Sequence, residues 1–437
     1  MDLFVEILLK ILPNIFIFLF LYQFVYLAVG LLRKLPRFQA KTEHRYAVLI
    51  SAKNEERVIA NLIQSILNQN YPRELIQVFV VADNCSDRTA EVSRMAGARV
   101  FERFDDQYKG KGYALRYLLN QIRELYGPDA FDGYLVFDAD NLLDKNYIRE
   151  INKVFDNGYR IVTSYRNSKN YGSNWISAGT GLWFLREAKY INNPRMQLGV
   201  SCLVSGTGFL MHKDIVKENG GWNFFLLTED VQFSVNSILK GEKIGYCEDA
   251  IFYDEQPLRF RDSWNQRLRW TKGFYQVFYR YGGQLFRRLF SHGGFTFYDV
   301  IITLTPGFVF LGSVALIGIL TIFNSGMDLY VYTMQILQIL LQTLIGSYAL
   351  FFAMGFFTTL TEWDRLYCTR GRKIGYMFTF PLFMFTYVPL SVIALFVRIR
   401  WKPILHNISI SADELKSQTE YQTPPSSSSK RKQAETN

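Results

Sequence analysis

Acids recur inside apolar stretches of this chain: Asp138 and Asp140 in "YLVFDADNLL", Glu229 and Asp230 in "FLLTEDVQFS", Asp83 in "VVADNCSD" and Glu55 in "SAKNEE". Two carboxylates as close as Asp138 and Asp140 repel each other unless a cation joins them. A hard divalent ion such as Mg2+ or Mn2+, held by one or two carboxylates and completed by substrate phosphates, resolves that repulsion. The same pair also reads as a polar turn capping a helix from Asp144. Glu229 and Asp230 follow Thr228, a natural N-cap, so they read equally as acids in a helix's first turn. Their sharper chemistry is proton abstraction: Asp230, kept ionised by the helix N-terminus, takes a proton from an attacking hydroxyl.

Glu55 and Asp83 close two other apolar runs, where carboxylates can accept hydrogen bonds from a base N–H and from ribose hydroxyls. Ser86 or Asp87 reads as a helix cap. Lys109 and Lys111 in "YKGKGYAL" stand in a glycine-rich turn before a helix, which suits phosphate through charge and helix N-terminus together. The spacing is not that of a P-loop, so no ATPase is implied. In "WNQRLRWTKG", Gln266, Arg269 and Trp270 lie at i, i+3 and i+4 and share one helix face. A guanidinium there neutralises a departing diphosphate, and an indole beside it offers a flat apolar surface to a pyranose ring. Trp next to Arg is also common at lipid interfaces without catalysis. Its conjunction with the two acidic motifs is the specific signal.

The elements that must hold these residues alternate, as in an α/β domain, between residues 45 and 256. Strands are expected at "YAVLIS", "LIQVFVVAD", "ARVFE", "GYLVFDAD", "RIVTS", "CLVSG" and "KIGYCEDAIFY". Helices are expected from Glu55 to Asn68, over "SDRTAEVSRMAG" with Gly97 closing it, from about Gly112 to Leu125, and near 174–190 and 229–239. The acids then sit at strand C-termini, where open α/β sheets bind their ligands.

With 37 Phe, 27 Tyr and a mean hydropathy near zero, the 437 residues do not have the composition of an ordinary soluble protein. Residues 11–32, 297–323, 333–357 and 376–397 are nearly uncharged and each about 20 residues or longer, enough to cross roughly 30 Å of hydrocarbon. The first reads as a retained anchor and not a signal peptide, since no small-residue cleavage site follows it. Basic residues cluster after it in "RKLPRFQAKTEHR", which puts the N-terminus outside and the following domain in the cytosol. "NSGMDLYVY" then reads as external and "EWDRLYCTRGRK" as cytosolic. Pro381 and Pro389 are placed to bend the last apolar segment and return Trp401 and His406 to the cytosolic side. Residues 257–290 mix aromatics and Arg as in helices lying in a membrane interface, or in a basic helix packed on a domain. The tail after about Ala412 reads as disordered. Four cysteines without metal or redox spacing fit reduced thiols. The net charge of +10 is spread through the chain and concentrated beside apolar spans, which fits anionic lipid and a negatively charged donor and not nucleic acid.

In their order, "NEE", "AD", "DAD", "TED" and "QRLRW", followed by apolar spans, resemble the membrane-integrated family 2 glycosyltransferases. That family includes cellulose, hyaluronan, chitin-oligosaccharide and poly-N-acetylglucosamine synthases. The resemblance covers roughly residues 45–290 and implies an α/β GT-A fold, with a mixed, mostly parallel sheet flanked by helices. It implies a UDP-sugar donor, inversion to a β-linkage, base and ribose contacts at Glu55 and Asp83, and metal–diphosphate contacts at Asp138 and Asp140. Lys111 and Arg269 join the donor side and Asp230 is the general base. Gln266, Trp270 and Glu229, with Gly206 and Thr207 of the "SGTGFL" loop, form the acceptor end. "ADN" departs from the more usual "DDG" of the family. The organisation expected is an anchor at 1–40, a catalytic domain at 41–256, amphipathic interface helices at 257–295, membrane helices at 296–400 and a tail at 401–437. The product expected is a polysaccharide made and exported at the inner plasma membrane by a multi-pass protein, with the lipid bilayer and accessory subunits as partners. Transfer of one sugar to a ceramide or diacylglycerol, and a nucleotide-sugar-binding scaffold without activity, are the alternatives.

Overall fold

The computed structural model describes residues 18–291, 293–305 and 329–399, with 406, 408, 410, 414 and 415 beyond them. Eight strands form one mixed sheet in the order β3-β2-β1-β4-β7-β6-β8-β5. β1 (Tyr46–Ala52), β2 (Ile76–Asp83), β3 (Arg99–Arg103) and β4 (Gly133–Asp138) are the parallel part. β1 and β4 are almost continuously apolar and buried, as a parallel strand covered on both faces requires. Register places Ser51 beside both Val81 and Asp138, so β1, β2 and β4 end nearly level and their following loops open at one edge. β7 (Phe209–His212) is antiparallel to β4 and to β6 (Ile161–Ser168). β8 (Ile244–Asp254) runs parallel to β6, and the two-residue β5 (Leu142–Leu143) pairs antiparallel at its outer edge.

In chain order the helices of the sheet domain, with the short one preceding it, are α1 (Tyr22–Leu32), α2 (Ile59–Leu67), α3 (Thr89–Met95), α4 (Lys111–Tyr126), α5 (Tyr147–Asp156), α6 (Trp175–Glu187), α7 (Asn193–Leu198), α8 (Lys213–Glu218) and α9 (Glu229–Leu239). α10 (Phe260–Arg288), α11 (Gly294–Leu304), α12 (Leu329–Thr361), α13 (Arg370–Phe385) and α14 (Tyr387–Phe396) follow. α6 starts on a capping box in which Asn174 accepts from the N–H groups of Ile176 and Ser177. It packs against α13 through Gly179, where a Cβ would lie 2.4 Å from the Phe383 ring.

Several expectations need correction. "CLVSG" is not a strand: its backbone groups go elsewhere, Cys202 N–H to Ile244 O and Val204 N–H to Ser234 Oγ, and the ladder begins only at Phe209. The interface helices at 257–290 are one 29-residue helix, α10. Near Pro381 and Pro389 the helix is interrupted at Thr386, between α13 and α14, with Thr386 itself still in helical conformation; Pro381 stays inside α13 and Pro389 lies in the first turn of α14, where no N–H is needed. Among the described residues two helical stretches, Leu341–Thr361 and Arg370–Phe396, are long and apolar enough to cross a membrane. The expected spans 11–32 and 297–323 lie partly outside the described residues, as does the start of "NSGMDLYVY". Leu415, expected in a disordered tail, is fully buried against Leu142 and Tyr253, because an apolar side chain finds a pocket there.

Candidate active site

Asn54 and Asn84 follow β1 and β2 with φ of 58° and 52°, the non-glycine residues in the left-handed region among those described. Asn tolerates this conformation better than other side chains because its short amide bonds to nearby backbone. Asn54 Oδ1 accepts from Ser86 N–H at 2.8 Å and Asn84 Oδ1 from Asp105 N–H at 2.9 Å. In "ADN" the asparagine itself therefore makes the turn. Asp83, just before it, is buried and ion-paired with Arg103 of β3 at 2.6 Å, and Arg103 is held in turn by Asp105 at 2.9 Å. Burial pushes the Asp83 carboxyl upward, opposed by Arg103 and Lys53.

Glu55 leaves β1 and meets the tail: His406 Nδ1 lies 3.0 and 3.2 Å from its two carboxylate oxygens. Burial raises the Glu55 pKa against the pull of His406, and Asp140 and Asp138 raise it further, which places all three acids in one field. Asp140 is buried, and its Oδ2 accepts the N–H of Glu255 at 3.0 Å. Burial opposes its charge, yet His406, Lys169 and that N–H hold the carboxyl below its ordinary range. Asp138 is partly exposed and engaged by Lys111 Nζ at 2.5 Å.

Of the residues expected at the acceptor end, Gly206 and Thr207 lie in the loop before β7 and meet Lys111, Asp138 and Asp230 there, whereas Gln266 and Trp270 do not join these contacts. Lys111, the first residue of α4, also donates to Gly206 O at 2.8 Å, and Gly206 N–H donates to Asp230 Oδ2 at 2.6 Å. Thr207 Oγ1 accepts from Asp138 N–H at 2.9 Å, fastening the loop to the end of β4. Lys111, Asp138, Gly206, Thr207 and Asp230 thus form one connected set, and Glu229 joins it electrostatically. Burial and Asp230 push the Glu229 carboxyl up to about 7, against Lys111 and Arg269. Burial also raises Asp230, although the N–H groups of Val231 and Gly206 and the Lys111 ammonium favour its charge. The amides at the helix start favour the Asp230 charge as expected of a helix N-terminus, but desolvation is the larger cause and the net direction is upward. Lys109 is not in this set; it pairs with Asp106 at 2.6 Å on the surface.

Thr228 does not cap α9: its Oγ1 is buried without a hydrogen-bond partner and its side chain packs on α10 instead. A Cβ at Gly273 would lie 2.5 Å from Thr228 Cγ2, so glycine there allows α10 to approach. This contact brings the Arg269 guanidinium to 3.4 Å from Leu227 O. Trp270, one residue on, is half-buried with its ring edge-on to Phe184 at 5.8 Å. Gln266 Oε1, on the same face, is buried and unpartnered.

Sequence reasoning missed Arg103, Arg166, Lys169, Asp254 and His406. The Arg166 guanidinium lies 3.6 Å above the Phe184 ring, donates to Asp254 at 2.6 Å and reaches Ser205 O at 3.1 Å, so it braces the Gly206 loop from below. Between them a cavity of about 10 Å3, room for one water, is lined by Arg166, Glu187, Asn192 and Ser205. Arg103, Arg166 and Asp254 act between elements far apart in sequence, which no local motif announces.

Among the described residues no group of three or more His, Cys, Asp and Glu is placed to hold a metal. Asp138 and Asp140 still fit a hard cation that takes its remaining ligands from phosphates: two carboxylates near a strand end, one partly exposed and the other held ionised.

Residues 44–273 match the family described as Glycosyltransferase like family 2. The beta-monoglucosyldiacylglycerol synthase of Synechocystis is 27% identical over 241 residues, 54% of this chain and 48% of that protein. The poly-beta-1,6-N-acetyl-D-glucosamine synthase of Staphylococcus aureus is 24% identical over 251 residues, 57% of this chain and 59% of that protein. The chain thus spans between 48% and 59% of the length of these curated relatives. A solved mannosyltransferase from Pyrobaculum calidifontis, in complex with GDP-Man and Mn2+, is similar with a TM-score of 0.56 at 14% identity, covering 90% of this chain and 99% of that one. At that identity the likeness is one of fold.

Proposed function

Since the chain belongs to glycosyltransferase family 2 and has the GT-A fold, we propose that it transfers a hexose, with inversion, from a UDP-sugar to a growing β-linked polysaccharide at a membrane surface. The observation that carries this reading is the relay from Asp138 through Lys111 and the Gly206 peptide to Asp230, with contacts of 2.5, 2.8 and 2.6 Å. It joins a donor-side carboxylate to a candidate base through one loop. Glucose and N-acetylglucosamine are the sugars this reading allows.

Asp230 draws the proton from the acceptor hydroxyl as that oxygen attacks the anomeric carbon, and the bond to the diphosphate breaks on the opposite face. Lys111 and Arg269 supply positive charge toward the leaving group, an effect commonly worth several kcal/mol. When bound, Mg2+ or Mn2+ at Asp138 and Asp140 supplies further positive charge to the diphosphate. Glu55 holds the nucleotide. Asp83 shares that role through the carboxylate that Arg103 orients. Trp270 and Gln266 receive the acceptor sugar, with Gly206, Thr207 and Glu229 beneath it.

The domain division read from the sequence accompanies this proposal, with α10 lying in the interface of the inner membrane and the sheet domain on its cytosolic side. Exposed Tyr279 and Phe286 on α10 support that placement. A lipid acceptor is the second reading, favoured by the likeness to a beta-monoglucosyldiacylglycerol synthase. Membranes containing the protein, supplied with radiolabelled UDP-glucose or UDP-N-acetylglucosamine, separate the two. A hydrolase-sensitive polymer supports the first reading, and a single labelled glycolipid replaces it with the second. Asp230→Asn should lower turnover about 10²- to 10⁴-fold, the range of general-base effects, with UDP affinity little changed; normal turnover removes Asp230 from its role.

A further inference from the structure

Asp83 has less to offer a ligand than its place at the end of β2 suggests. Its Oδ1 accepts from Arg103 at 2.6 Å and from the Asn84 amide at 3.2 Å. Among the described residues Oδ2 has no hydrogen-bond partner, so one oxygen is left for an incoming N–H. The residue before it, Ala82, is buried and has no polar side chain to add. One carboxylate oxygen can choose among bases, but the net contribution of a single hydrogen bond is modest. The rest of the affinity for a base must come from its flat, apolar faces.

An aromatic ring stands close by. The Arg103 guanidinium that holds Asp83 also donates to Tyr108 O at 2.6 Å, so the carboxylate and the Tyr108 backbone share one cation. The turn that carries Tyr108 is tied by backbone groups: Asp105 Oδ1 accepts the N–H groups of Gln107 and Tyr108, both at 2.9 Å. Asp105 N–H in turn meets Asn84 Oδ1 at 2.9 Å, which joins this turn to the end of β2. The Tyr108 side chain is nonetheless 48% exposed. Its ring centroid lies 5.2 Å from that of Tyr113 at 45°, and Tyr113 stacks on Phe225 at 4.3 Å and 14°. A Cβ at Gly112 would lie 2.2 Å from Phe224 O, so the start of α4 sits directly on the segment that carries Phe225. Lys111, three residues beyond Tyr108, is engaged with Asp138. Single exposed aromatics are ordinary on a protein surface. Tyr108 differs because its backbone is fixed at both N–H and C=O, its ring leans on two others, and its turn links the partner of Asp83 to Lys111.

We propose that Tyr108 is a platform for the nucleobase of the donor, the base lying on the exposed ring while Asp83 Oδ2 accepts its N–H. This rests on the reading of Asp83 as a base contact. Every base has a π-face, so the ring supplies affinity and the carboxylate supplies choice. The folded chain already holds the turn in place, so little ordering is left to be done on binding.

Dissociation constants of UDP and of inorganic diphosphate, measured on the full chain in detergent with Mg2+, test this for the wild type, Tyr108→Ala, Tyr108→Trp and Asp83→Asn. Tyr108→Ala should weaken UDP about five- to hundredfold, the effect of removing one stacked aromatic, and leave inorganic diphosphate unchanged. The bonds that hold the turn are made by backbone groups and by Asp105, so alanine retains them. Tyr108→Trp should restore UDP binding and add a fluorescence that UDP quenches and inorganic diphosphate does not. Tyr108→Ala that binds UDP as the wild type does overturns the platform, and so does an equal loss for UDP and inorganic diphosphate. Asp83→Asn tells this failure from that of the underlying reading. Unchanged UDP affinity in Asp83→Asn removes Asp83 from the base site, whereas a loss there beside an unaffected Tyr108→Ala overturns the platform alone.

Discussion

Two adjacent acids buried together cannot both ionise as they would in water, and this governs the pH behaviour of Glu229 and Asp230. Both are shifted upward, Glu229 to about 7, with burial as the largest cause. Activity that needs an ionised Asp230 should therefore rise with pH along an acid limb displaced above the ordinary aspartate range. Glu229→Gln removes the neighbouring charge, and the limb should move to lower pH in a kcat/KM profile. The stability consequence has the opposite sense. The folded state holds these protons more tightly than the unfolded chain, so the stabilisation present below pH 4.5 is lost as pH rises through about 7. The thermal midpoint of the wild type should fall across that window more than that of Glu229→Gln. The "DAD", "TED" and "QRLRW" residues were legible because each motif is short and chemically pointed. Arg103 and His406 were not, because each acts on a carboxylate elsewhere in the chain, His406 on one 351 positions away.

Elements were legible where periodicity had one meaning. β1 and β4 are almost continuous apolar runs and α4 buries Leu115, Leu118, Leu119 and Ile122 on one face, as their patterns announced. "CLVSG" was mistaken because an apolar pentapeptide does not reveal whether its amides bond to a strand or to a serine on α9. The Thr228 cap failed for a related reason: a tertiary contact with Gly273 claimed the side chain. That contact makes a prediction about α10. Gly273→Ala puts a methyl group against Thr228, should cost about 1–3 kcal/mol as overpacking does, and should lower activity by moving Arg269. Adding Thr228→Ala removes the two nearest clashing atoms and should restore much of both, measured by denaturation and by UDP release.

Across the whole molecule, one buried ion pair ties the apolar elements to the sheet domain. Arg195 of α7 and Asp299 of α11 are 2.6 Å apart and almost without exposure, and the hydroxyls of Tyr22 and Tyr26 on α1 donate to the same carboxylate. Arg195→Met leaves Asp299 buried and unmatched, which should cost about 3–5 kcal/mol and loosen α1 and α11 together; detergent-resistant thermal stability measures it. The backbone of Gly206 has a different reach. Its carbonyl, in the 206–207 peptide, answers to Lys111 and its amide, in the 205–206 peptide, to Asp230, so two planes hinged at one glycine face both residues. In the proposed transfer, phosphate oxygens that draw the lysine away release one plane, the glycine turns, and the aspartate is re-aimed. Kinetics should then follow a compulsory order, nucleotide sugar before glycan, and a dead-end glycan analogue should inhibit uncompetitively against the first substrate.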